Sequence, residues 1–204
     1  MNRPVPDEVI LGLLKAQPTH GYQLLEYFRS PSELGRIWTM SASQLYAVLK
    51  RLSSNGDIVG KELEVRNAPS RVAYTVTASG AQKLDAWLYD AQPSTSIHRI
   101  RVLFLSRVFI ANLLDMPLEK IVSAQMAACQ AQQEIMIAQK QSSQSEIEQL
   151  TLDFVIGQLK AANRWLKESN FNILIKGTRA ETQFKKASPR SNQFDQISIR
   201  QEKS

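Results

Sequence analysis

The sequence predicts a mainly α fold with a small β-hairpin wing: a winged helix-turn-helix followed by a helical dimerisation domain. Three observations predict it. Three short helical patterns fill residues 7–54, each with its own start or stop signal. Two segments of alternating period follow, joined by a turn-rich tip. Beyond residue 96 the patterned segments are all helical.

The first helix runs over DEVILGLLKAQ, with Asp7 and Glu8 at its positive end and Pro18 as its stop. Thr19 is the expected N-cap of the second, whose buried side carries Leu24, Leu25 and Phe28. The third, SASQLYAVLKRL, opens with Ser41 and Gln44 in a capping-box spacing. Leu45, Val48, Leu49 and Leu52 give it one apolar face, and Asn55-Gly56 ends it. Its opposite face is small, hydroxyl-bearing and free of acids: Ser43, Ala47, Lys50 and Ser54, with Tyr46 and Arg51 on the flanks.

Ile58–Val65 and the strictly alternating Val72, Tyr74 and Val76 read as a hairpin around a tip at residues 66–70. Thr77 caps a fourth helix with Ala81, Leu84, Trp87 and Leu88 on its inner side. Gln92-Pro93-Ser94-Thr95-Ser96 is a linker. Ile100–Leu114 is strongly apolar. A long helix then runs from Pro117 to about Gln141. A second starts at the Ser145/Glu148 box and runs to about Lys167, with Ile147, Leu150, Phe154, Leu159, Trp165 and Leu166 as its buried residues. Two long helices joined by one short turn form an antiparallel pair. Such a pair has too little core of its own, so a partner surface is expected. The domains are therefore 1–92 (winged helix-turn-helix), 93–170 (helical dimerisation) and 171–204 (a basic, disordered tail).

Charge alone does not decide the function. The net charge is +6, but residues 1–92 hold 10 Lys/Arg against 9 Asp/Glu, while 171–204 hold 7 against 3. The case for a nucleic-acid partner rests on where the cations fall, not on their sum. The start MNRPVPDEVILGLL lacks the pattern of a secretory signal, and no run of 18 apolar residues is present, so a cytoplasmic protein is expected. One cysteine, Cys129, leaves no internal disulfide and no multi-thiolate zinc site.

Taken jointly, ILGLLKAQPTHGYQLLEYF, SASQLYAVLKRLSSNGDI and SRVAYTVTASGAQKLDAWL resemble the PadR family of bacterial transcriptional regulators. His20-Gly21-Tyr22, Leu45-Tyr46 and the Tyr74-x-x-Thr77 step occupy the family's characteristic places over residues 9–90. The helical half resembles the longer subgroup with a virulence-activator-like C-terminal domain, whose helices dimerise. The wing departs from a common family form, reading Ser70-Arg71-Val72.

The resemblance implies a homodimer bound to promoter or operator DNA. In a helix-turn-helix the recognition helix meets base edges with its N-terminal part. Ser41, Ser43 and Gln44 are the candidate base readers, and a Gln carboxamide pairs two ways with adenine. Tyr46, Lys50 and Arg51 are candidates for phosphates, with Tyr22 packing or touching one. Arg66, Asn67 and Arg71 flank the wing tip. Leu118, Ile121, Val122, Ile135, Phe154, Leu159 and Trp165 are the candidate dimer contacts. A small aromatic effector is a further expectation, with Trp87, Phe104, Phe154 and Trp165 as candidate lining. Repression is the simpler sign of regulation, since a dimer covering a promoter blocks polymerase unaided; activation and a protein-interaction module are the alternatives. No phosphate-binding loop, zinc-protease motif or nucleophile elbow is present, so no enzyme, cofactor or metal is expected.

Overall fold

The structure, a computed structural model, describes residues 7–65 and 68–171, and the side chains of these outside 63–71. Arg66, Asn67 and the basic tail from residue 172 lie outside the described residues. The described helices, with one small three-stranded antiparallel sheet, give the mainly α architecture that the sequence predicts.

Helix α1 (Asp7–Ala16) is buried along six consecutive residues, Val9 to Leu14. A helix buried all round must touch more than one layer. Here α3 (Ala42–Ser54), α4 (Ala78–Leu88) and α6 (Leu105–Leu113) all pack on it. Helix α2 (Gly21–Arg29) begins one residue later than expected. His20, not Thr19, is the N-cap, its Nδ1 accepting from Gln23 N–H at 3.4 Å. Thr19 and His20 instead form strand β1, paired with Tyr74 and Ala73. The hairpin thereby gains a third strand, and backbone groups between α1 and α2 are satisfied by the sheet.

Strands β2 (Ile58–Val65) and β3 (Ala68–Val76) make the wing, and β3 starts within the tip expected at 66–70. Between wing and α4 sits a buried carboxylate, Asp57. Ser79 Oγ donates to it at 3.0 Å and Lys83 Nζ at 2.6 Å. Its backbone carbonyl accepts from Thr77 N–H at 3.0 Å. Thr77 Oγ1 donates to the Gly56 carbonyl at 2.7 Å and accepts from Gly80 N–H at 3.2 Å. Gly56 has φ +72°, the left-handed conformation that the Asn55-Gly56 stop requires. One knot of short bonds thus sets the angle between wing and helix.

After the 92–96 segment, α5 (Ile97–Arg99), a π-helical turn (Ile100–Phe104) and α6 follow without a break. This segment is bonded to the N-terminal half. Ile110 occupies the space where a Cβ on Gly12 would sit, 2.4 Å from its Cγ2. Phe109 meets Tyr27 edge-on at 6.3 Å. Trp38 Nε1 donates to Ser106 Oγ at 2.9 Å, and Arg101 donates to the Ile37 carbonyl at 2.8 Å. Arg107, nearly enclosed, pairs with Asp90 at 2.8 Å and lies 5.4 Å from the Trp87 ring centre. Burial lowers its pKa, against the pull of Asp90. A continuous core therefore crosses the boundary expected at residue 92.

Helices α7 (Glu119–Ser142) and α8 (Glu146–Glu168) pack as the antiparallel pair. Ser145 Oγ accepts from Glu148 N–H at 3.4 Å, but the Glu148 carboxylate accepts from Ser143 Oγ instead of closing the box. The face expected to be buried is only partly so. Leu152, Ile156, Leu159 and Leu166 are enclosed, whereas Ile147, Leu150 and Phe154 are 71%, 66% and 67% exposed. At about 100° per residue, the two sets lie on opposite sides of α8.

Candidate nucleic-acid interface

The outward side of α3 is built on one close approach. Gly21, the first residue of α2, faces the Tyr46 ring. A Cβ there would lie 3.0 Å from the ring and its hydroxyl. Glycine lets α2 and α3 meet with the phenol lying over the joint, and Tyr46 stays 54% exposed. The next residue, Tyr22, is 62% exposed, with the Arg29 guanidinium 5.9 Å from its ring centre. Lys50 is exposed one turn beyond Tyr46.

The N-terminus of α3 carries the predicted capping box. Ser41 N–H donates to Gln44 Oε1 at 2.9 Å, and Gln44 N–H donates to Ser41 Oγ at 3.2 Å. Ser43 Oγ lies 3.0 Å from Ser41 Oγ. The three candidate base readers thus form one exposed cluster.

Arg51 is placed differently from the expectation. Its Nε donates to Asp7 Oδ2 at 2.7 Å and its Nη2 to the other oxygen. This two-pronged pair joins the end of α3 to the start of α1, and Asp7 raises the guanidinium pKa further. Arg51 is partly buried and serves the fold, which leaves Lys50 as the exposed cation of α3. On the wing, Lys61 and Glu62 are exposed, and the side chain of Arg71 lies outside the described set. Arg29, which pairs with Glu26 at 3.0 Å, and Lys61 are exposed cations that the sequence reading does not single out. Arg29 carried a usable signal, since it lies seven residues after Tyr22 on the same helical face.

The candidate dimer residues divide. Leu118, Ile121 and Leu159 are buried within the chain, and Val122 is half-buried. Ile135, Phe154 and Trp165 stand open. The candidate effector aromatics do not converge. Trp87 is against Arg107, Phe104 is buried and meets Trp165 edge-on at 6.0 Å, and Phe154 faces outward. A cavity of about 340 Å³ does exist between the Ile97–Leu105 segment and α8, lined by Ile97, Ile100, Arg101, Leu105, Gln158, Ala161, Ala162 and Trp165. Among the described residues, no cluster of three His, Cys, Asp or Glu could hold a metal, and no helix is long and apolar enough to cross a membrane.

Residues 10–86, which contain α2, α3 and the wing, match the transcriptional regulator PadR-like family. They form a PadR-like domain. The negative transcriptional regulator PadR of Bacillus subtilis (strain 168) is 38% identical over 84 residues, which are 41% of this chain and 45% of that protein. The match thus spans under half of that relative's length. Bacillus subtilis PadR in complex with operator DNA is 25% identical over 79% of this chain and 95% of that one, with a TM-score of 0.41. The same regulator in complex with p-coumaric acid is 24% identical over 82% of this chain and 92% of that one, with a TM-score of 0.38. The PadR-like domain ends at residue 86, before the segment that carries α5 to α8.

Proposed function

We propose that the chain is a homodimeric, sequence-specific DNA-binding transcriptional regulator that acts in the cytoplasm as a repressor, without catalysis or a cofactor. The observation that carries this reading is the outward face of α3. It has a capped N-terminus, an exposed Tyr46 seated on Gly21, a free Lys50 and no acid. A face without carboxylates is suited to a groove lined by phosphates, since an acid there is repelled. The curated relative is a negative regulator, and a solved relative holds operator DNA; both support repression and an operator target.

Dimerisation through α8 supports two-site binding. Ile147, Leu150, Phe154, Gly157, Ala161 and Trp165 form a stripe about 27 Å long at 1.5 Å per residue. Nothing lies within 4 Å of a Cβ on Gly157, so another helix can approach there. The order of helices after residue 96 also supports placing the chain in the longer, virulence-activator-like PadR subgroup. A small aromatic effector fits the apolar cavity beside Trp165 better than the four aromatics first expected.

Tyr46→Ala with Lys50→Ala tests the reading. Removing one phosphate contact and the phenol from each protomer is expected to weaken binding to the chain's own upstream DNA by tenfold or more. Helicity stays unchanged, because both side chains are exposed. Equal affinities in a gel-shift titration would refute the placement of α3 in the groove. Wild-type binding that does not fall with added salt would favour a protein-interaction module.

A further inference from the structure

The capping box at the start of α3 restricts what its exposed residues can offer a base. Gln44 Oε1 accepts from Ser41 N–H at 2.9 Å, which satisfies an orphan amide of the helix start. The bond back, from Gln44 N–H to Ser41 Oγ at 3.2 Å, holds the same two residues from the other side. Ser43 Oγ, 3.0 Å from Ser41 Oγ, adds a third link. The acceptor end of the carboxamide is therefore turned back onto the helix. Its other end, Nε2, makes no hydrogen bond among the described residues and carries only donors.

The residue type alone suggests that Gln44 pairs with adenine. That pairing is two-way, with the amide donating to N7 while its oxygen accepts from N6. In this structure that oxygen is turned back onto Ser41 N–H, with one of its two lone pairs taken, so the outward end of the carboxamide is the NH2 group. Guanine presents N7 and O6, two adjacent acceptors, and a single amide NH2 group serves both. We infer that Gln44 is a specificity-determining residue that reads guanine as a donor, with its polarity set by the capping box. The inference rests on the DNA-binding reading above.

Selection of randomised duplex DNA by the full chain and by two variants tests it. The position whose base preference vanishes with Gln44→Ala is the one Gln44 reads. Wild-type protein is expected to favour guanine over adenine there by about tenfold, within the range of a good base contact. Gln44→Glu keeps an oxygen for Ser41 N–H and replaces the outward donor by an acceptor. It is expected to turn the preference to cytosine, whose N4 amine donates to a carboxylate, and to melt no earlier than wild type. Gln44→Ala, which loses the box, melts earlier than both. Adenine at the Gln44-dependent position in the wild-type selection overturns the inference. So does a set of preferences that neither variant changes. If the wild type enriches no sequence at all, the DNA-binding reading fails instead.

Discussion

Gly80→Ala is expected to destabilise the folded unit by about 3 kcal/mol, at the upper end for overpacking a well-filled site. For a domain of this size that lowers the melting temperature by about 6–12 °C. The new Cβ would lie 2.2 Å from the Asp57 carbonyl oxygen and 3.0 Å from Val76 Cγ1. The oxygen belongs to backbone and already accepts from Thr77 N–H. The Asp57 side chain is held by Ser79 and Lys83, so the strand cannot withdraw without breaking the knot between wing and α4. Ser53→Ala is the control: its side chain is exposed on α3, and the change should leave stability within about 0.5 kcal/mol. A thermal melt monitored by circular dichroism separates the two. Equal melting points would mean that Gly80 is not the tight joint described.

The other large effect belongs to the outer side of α8. Phe154→Asp places a charge in the middle of its apolar stripe and is expected to convert the proposed dimer to a monomer. Phe154 is two-thirds exposed in the protomer, so helix content should survive. A dimer gripping two half-sites gains affinity because its second contact is intramolecular. Its loss is expected to weaken operator binding by about 10²- to 10⁴-fold. Sedimentation and gel shift on the same sample give both numbers. A variant that still sediments as a dimer would remove α8 from the interface.

Features set by neighbouring residues are legible in the amino-acid order alone. The Ser41/Gln44 box, the Thr77 cap, the left-handed Gly56 and the alternation of Val72, Tyr74 and Val76 all lie within a few residues of what they control. Long-range partners are not legible in this way. Arg51 carries no local mark that Asp7, forty-four positions earlier, will claim it. Thr19 and His20 are too few to show an alternation, so Thr19 reads as a helix cap and the pairing with β3 stays hidden. Periodicity marks α8 as apolar, but it cannot say which of two apolar faces finds its cover inside the same chain. At the candidate interface, residue types and their helix are readable. The direction of the Gln44 carboxamide follows from the same box, since a side chain that accepts from Ser41 N–H must turn its oxygen back.

Helix α1 bears on how such proteins can be recombined. It lies beneath α3 and the wing's helix, and it also receives Ile110 against Gly12. The residues that complete its burial therefore come from both sides of the 92–96 segment. A chimera joined at that segment would transplant α1 with a glycine shaped for an isoleucine left behind. A junction after Leu113 carries the matching half with it, and α1 travels with its packing partners α3, α4 and α6.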